Sequence, residues 1–205
     1  MFRKPLIGVG EHDGVLVVLL PEGSVGGADV RGAPFGVREV DVLAPENLVS
    51  RVDAFCLAPG GPAGLAAADG VLAWLRDRGR GFAVGAGPGQ VVPIVPAACS
   101  AGGRPATREA GVAACEAAVD VPVDGPLALV HGSTAVLVTE VGLDKAQCVR
   151  VAISARDGAV RTGLSPAVVL VAALGARELS GALELDGLCG AAADAVQARL
   201  AACSH

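Results

Sequence analysis

The most chemically suggestive stretch of this chain is His131-Gly132-Ser133-Thr134. A hydroxyl residue there enters an apolar segment directly after a glycine, where backbone can be approached without a side chain in the way. A serine nucleophile needs a neighbouring base to take its proton. His131 lies two residues away, but positions i and i+2 of an extended strand share a face only loosely. A Ser-His-acid arrangement also needs an orienting carboxylate, which the sequence does not place. On residue types alone, a turn at the start of a strand is the plainer reading. Pro59-Gly60-Gly61-Pro62 precedes a helical pattern, so the amides of Gly60 and Gly61 are candidate oxyanion or anion donors, beside the plain reading of a tight strand-to-helix connection. Gly85-Ala-Gly87-Pro-Gly89 lacks the six-position dinucleotide spacing and runs into a proline-limited strand, so the phosphate-binding mechanism fails there. Asp41, Asp120 and Asp124 are isolated carboxylates and read as solvated loop positions.

Six cysteines, Cys56, Cys99, Cys115, Cys148, Cys189 and Cys203, are dispersed without a CxxC pair, and the chain holds only three histidines. A zinc site needs closely paired ligands, so the thiols read as small buried hydrophobes.

The elements that must position these residues follow from hydrophobic periodicity. Residues 15–20 (VLVVLL) and 53–58 (DAFCLA) read as buried strands, and residues 21–37, punctuated by Gly and Pro, read as loop. Residues 39–43 alternate like a strand edge, and Pro45 with Glu46 favours a helix N-terminus. Residues 64–78 are the clearest helix, with Leu65, Ala68, Leu72 and Leu75 in phase and Gly79 as the stop. Residues 90–95 read as a proline-limited strand and 108–119 as a helix. Strands over 127–130 and 135–139 flank the His131-Gly132-Ser133 turn. Helices over 143–160 and 183–202 then bracket a strand over 168–174. Alternating strands and helices over 205 residues predict one α/β or layered α+β domain.

Composition removes several functions. Apolar residues make up 52% of the chain, enough to build a core, but aromatics only 2% with no Tyr, which excludes tyrosine chemistry and argues against base-stacking platforms. A net charge of −5 without clustered Lys or Arg makes nucleic acid an unfavourable partner. The longest uncharged stretch, 81–103, is broken by prolines and glycines, and residues 1–20 lack a signal-peptide layout. The expectation is a soluble cytoplasmic protein with no membrane or nucleic-acid partner.

Seven stretches occur in an order that resembles the P1-family peptidases, the aminopeptidase/D-esterase family that includes the β-aminopeptidases. They are Leu19-Leu-Pro-Glu-Gly23, Gly32-Ala-Pro-Phe-Gly-Val-Arg-Glu39, Pro45-Glu-Asn-Leu48, Ala66-Ala-Ala-Asp-Gly-Val71, Val91-Val-Pro-Ile-Val-Pro-Ala-Ala98, Ala113-Ala-Cys-Glu-Ala117 and Leu143-Asp-Lys-Ala-Gln147. The resemblance covers most of residues 5–160. It implies an α+β fold, a four-layer αββα sandwich of the N-terminal-nucleophile type, reduced relative to the family, as a single domain over 1–205. It also implies self-cleavage at the Gly132–Ser133 bond. Ser133 would then be the nucleophile and its freed α-amine, with an ordinary pKa of about 7.7–8, the general base. Substrates would be the N-terminal residues of short peptides, amides or esters, with no metal or organic cofactor, and the chain would form a homo-oligomer or pair with a paralogue.

The chain departs from the family pattern at several places. Counted back without gaps from Lys145 through Thr139-Glu140, the family's nucleophile column falls on Gly132. Ser133 fits only with a one-residue slip, which reverses the face its hydroxyl occupies. The family's Asp after that Thr is Glu140 here. The Gly-rich, Asn-containing loop that supplies oxyanion stabilisation, a contribution of ~3 kcal/mol, is missing. Pro59-Gly-Gly-Pro-Ala-Gly64 stands where the family has Gly-Gly-Ser-Ala-Phe-Gly, and Ser165-Pro-Ala-Val-Val-Leu170 replaces a Gly-Asp-containing segment. Two readings follow, an active self-processing hydrolase or a catalytically silent homologue acting as a binding or partner subunit.

Overall fold

Val15–Leu19 and Ala54–Ala58 are buried at every position. A strand covered on both faces has no polar side to alternate with, and both belong to a sheet held between two other layers. The computed structural model describes residues 4–203 apart from Ala33, Pro88 and the Cys203 side chain. Ala33 and Pro88 of the stretches named above, and the Cys203 thiol, lie outside the described residues.

In chain order the strands are β1 (Leu6–His12), β2 (Val15–Leu19), β3 (Val25–Val30), β4 (Val37–Arg38), β5 (Ala54–Ala58), β6 (Phe82–Ala83), β7 (Val91–Val92), β8 (Ala97–Cys99), β9 (Val119–Pro122), β10 (Leu127–His131), β11 (Thr134–Val141) and β12 (Val168–Arg177). The helices are α1 (Ala66–Arg76), α2 (Arg108–Glu116), α3 (Lys145–Val160) and α4 (Ala182–Cys203). One sheet has the order β4-β8-β5-β2-β1-β9 and a second β10-β11-β12-β3, while β6 and β7 form a separate ribbon.

Three apolar interfaces stack these elements into four layers. Val15, Val17, Ala54 and Cys56 pack against Ala67, Val71, Leu75 and Ala114 of α1 and α2. The opposite face of that sheet, with Ile7, Val18, Phe55 and Leu57, meets Val136, Val138, Val168 and Leu170 of the second sheet. The outer face of the second sheet, with Leu137, Val169 and Val171, is covered by Val151, Ala155, Ala192 and Val196 of α3 and α4. This is the αββα order. Among the described residues no helix is long and apolar enough to cross a membrane.

The loop expected over 21–37 instead contains β3, which pairs antiparallel with β12 from Val25↔Ala173 to Val30↔Val168. Its glycines are there for close approach. A Cβ on Gly27 would lie 2.5 Å from the Cys148 Cβ of α3, and one on Gly26 would lie 2.7 Å from Leu43 on the other side. The strand edge expected over 39–43 is a single 3-10 turn, Asp41–Leu43. No helix starts at Pro45: the carbonyls of Val42, Ala44 and Asn47 turn inward to the Lys145 ammonium at 2.8, 2.9 and 2.8 Å. The helix expected to reach Val119 stops at Glu116, and Val119 opens β9. Of the strand expected over 90–95, only Val91 and Val92 pair. The helix expected from Leu143 begins at Lys145 because Asp144 and Gln147 form a reciprocal capping box, with both bonds at 2.8–2.9 Å.

Candidate functional site

The β10–β11 hairpin carries His131, Gly132 and Ser133 to one end of the sandwich. His131 pairs with Thr134, and Thr134 pairs in parallel with Val168 at the start of β12. Gly132 and Ser133 form the exposed turn between the strands. Gly132 takes φ 54, the left-handed conformation that a glycine adopts without strain. The Ser133 carbonyl is anchored by the Ala167 amide at 2.9 Å, which ties the turn to the segment entering β12.

Along β11, Val136 and Val138 face the first sheet, whereas Ala135 and Leu137 face the helices. Ser133 shares the parity of Ala135. With Gly132 beside it, it lines a cavity of about 250 Å³ closed by Val130, Leu164, Pro166 and the α4 residue Leu200.

Three connections of the first sheet, the β1–β2 turn and the loops that follow β5 and β8, lie at the same end. The His131 ring reaches across the sandwich and its Nε2 meets the Gly14 carbonyl of the β1–β2 turn at 2.6 Å. A carbonyl only accepts, so Nε2 carries the proton and, in the neutral ring, Nδ1 is the bare nitrogen. The structure thus gives His131 a bridging contact between sheets, and among the described residues no hydrogen bond joins it to Ser133. Ser100, just after β8, comes from the opposite side. A Cβ on Gly132 would lie 2.6 Å from the Ser100 Cβ and 3.3 Å from its Oγ. Position 132 therefore accommodates glycine because the Ser100 side chain fills the adjoining space.

Gly60 and Gly61 sit beside this group, but their amides are engaged. Gly60 N donates to the Gly102 carbonyl at 2.9 Å and Gly61 N to the Ser100 carbonyl at 2.8 Å. In this arrangement neither is free to hold an oxyanion, because each closes the loop that follows β5 onto the loop that follows β8. Glu140 is at the other end of β11, where it accepts from Gly125 N at 3.0 Å and Arg177 Nε at 3.2 Å, a structural role.

Sequence reasoning did not single out Ser100. Its signal was a hydroxyl ending the apolar run 91–99, a pattern shared by many strand ends. Cys99, beside it, is half-buried, and burial pushes its thiol up to about 11. Burial likewise raises Cys115 and Cys148 to about 12 and Cys56 further still. Burial thus disfavours the thiolate form at all four.

No protein-family profile matches the chain. An uncharacterized aminopeptidase of Mycobacterium leprae (strain TN) is 48% identical over 135 residues, covering 62% of this chain and 36% of that protein. The chain thus spans about a third of the length of the curated relatives it matches. Among solved structures, a Burkholderia sp. β-aminopeptidase superposes with a TM-score of 0.68 at 14% identity, covering 95% of this chain and 82% of that one. An L-aminopeptidase D-Ala-esterase/amidase of Ochrobactrum anthropi, described as a prototype for the serine aminopeptidases and a variant of the Ntn hydrolase fold, gives 0.61 at 12% identity, covering 93% and 81%. The resemblance seen in the sequence holds at both levels: the chain is homologous to proteins named aminopeptidases and has the fold of the Ntn-type aminopeptidases.

Proposed function

We propose that this chain is a serine N-terminal-nucleophile hydrolase that removes N-terminal residues from short peptides, amides or esters after cutting itself at the Gly132–Ser133 bond. The observation that carries the reading is the homology to named aminopeptidases together with a serine at the first turn of β11 on an Ntn-type sandwich. Ser133 attacks the scissile carbonyl, and its own α-amine, released by the cut, accepts the hydroxyl proton. The turn is exposed, so the new amine would meet solvent and substrate without rearrangement of the sheet. That the named relatives are aminopeptidases favours this reading over a silent partner subunit.

We place the protein in a reducing compartment, the cytoplasm, in keeping with five described cysteines that are all unpaired. Self-association goes with the reading too: Phe35, Leu48 and Leu183 are exposed at 67%, 93% and 88%, apolar surface that a second subunit would cover.

Intact mass of freshly purified protein beside the Ser133→Ala variant tests the reading. Two fragments of about 13 and 7 kDa from the 20.1 kDa chain, the smaller beginning at Ser133 and both absent in the variant, are the expected result. β-Alanyl and D-amino-acid amides would then be screened for release of the N-terminal residue. A single uncut species without turnover would sink the hydrolase reading and turn attention to a partner protein.

A further inference from the structure

We propose that Ser100 is the side-chain donor that stabilises the Gly132 carbonyl oxygen while the Gly132–Ser133 bond is cut; the assignment rests on the self-processing reading above. The chemistry demands such a donor. As Ser133 Oγ adds to the Gly132 carbonyl carbon, negative charge develops on the carbonyl oxygen. The hydroxyl proton passes to the Ser133 nitrogen as the C–N bond breaks, leaving an ester between Gly132 and the Ser133 oxygen. Water then hydrolyses that ester, giving a carboxylate on Gly132 and returning the Ser133 hydroxyl beside a free amine. A preorganised donor at the oxyanion is the largest usual contribution to such a step.

The donors read from the sequence are not free for it, since Gly60 N and Gly61 N are bonded to the carbonyls of Gly102 and Ser100. Ser100 is the residue that stands against the scissile residue instead. Its side chain fills the space a Cβ on Gly132 would need, with Cβ and Oγ at 2.6 and 3.3 Å from that point. Its backbone is pinned on both sides: its amide donates to the Ala58 carbonyl at 2.9 Å and its carbonyl accepts from Gly61 at 2.8 Å. Among the described residues, its hydroxyl has no hydrogen-bond partner. A hydroxyl with no partner, carried on a pinned backbone from the opposite sheet, can turn to a charge that appears only during the reaction. The engaged amides of Gly60 and Gly61 then have an indirect part, because Gly61 holds Ser100 in place.

The test compares full-length wild type with Ser100→Ala and Ser100→Gly, following the cut fraction against time by intact mass after synthesis. Thermal midpoints are recorded in parallel. Ser100→Ala keeps the packing carbon and removes only the hydroxyl. It should slow self-cleavage by about 100-fold, the usual effect of deleting one oxyanion donor, with its midpoint unchanged. Ser100→Gly should be no slower than Ser100→Ala. If Ser100→Ala is cut at the wild-type rate, the proposal is wrong, and a slow Ser100→Gly beside it would assign Ser100 to packing alone. A wild-type chain that is never cut overturns both the parent reading and this one, whereas a cut wild type with an indifferent Ser100→Ala overturns this one only.

Discussion

Replacing Arg156 by methionine should destabilise the fold by about 3–5 kcal/mol, the usual result of stranding one member of a buried ion pair. Arg156 projects from α3 with 4% of its side chain exposed. Its Nε is bonded to the Asp29 carboxylate and one terminal nitrogen to the Pro166 carbonyl, while the other donates to the Asp29 carbonyl at 2.8 Å. Asp29, on β3, is itself 11% exposed. Its other cation, Arg31 at 3.2 Å, is 58% exposed and cannot replace the lost bonds to the two carbonyls. Methionine would fill much of the volume but leave a nearly dry carboxylate and two carbonyls without donors. In a chain of this length each kcal/mol moves the thermal midpoint by roughly 2–4 °C, so a drop of roughly 6–20 °C is expected. Circular dichroism melts at pH 7 would measure it, with Asp29→Asn and the double variant completing the cycle. The double variant should recover part of the loss, because no buried charge is then left unpaired. The Ala167 amide, next to Pro166 and bonded to the Ser133 carbonyl, should also exchange faster with solvent. A single variant within 1 kcal/mol of wild type, or a double variant as unstable as the sum of the singles, would refute this account.

Two further outcomes follow from the electrostatics. The Glu184 carboxyl is held down to about 2, chiefly by the Ser180 hydroxyl and amide and then by Arg177, so carbon-detected NMR should show its midpoint near that value. Its folded pKa is depressed, so its contribution to stability is whole above its ordinary value of 4.5 and is lost as the pH falls towards 2; Ser180→Ala should shift the midpoint upward. Iodoacetamide at pH 8 should leave Cys56, Cys115 and Cys148 unmodified in the folded protein and label them in urea, as read by peptide mapping; rapid native labelling of any of the three would contradict their burial.

What the sequence discloses depends on how many faces an element buries. β2, β5 and β12 are covered on both sides along most of their length, so their apolar runs stand out without alternation. β3 is just as much a strand, but Gly26 and Gly27 occupy the places where Leu43 and Cys148 press on it, and two adjacent glycines read as loop. The turn around Pro45 carries helix-start residues, yet a lysine about a hundred positions later takes its carbonyls, a partner that local sequence cannot name. At the site, the hairpin around His131 and Ser133 was legible from two flanking apolar runs. The face of Ser133 was legible only as a consequence of register, and the structure gives it the parity of Ala135. Ser100 was not legible, because its meaning comes entirely from the opposing sheet.

The position of the β10–β11 turn determines what kind of object a cut chain would be. β10 and β3 precede the Gly132–Ser133 bond and flank β11 and β12, which follow it together with α3 and α4. The two pieces would therefore be interleaved within one sheet, and the later piece would own the helix layer that covers that sheet. Severing two residues of turn removes none of the five residue pairs that join β10 to β11, so the native state would survive the cut. The route back to it would not. An intact chain refolds at a rate independent of its concentration, whereas separated pieces must first find one another, and dilution would favour their remaining apart. A single hydrolysed bond would thus convert one continuous chain into an assembly that persists kinetically but cannot readily be rebuilt.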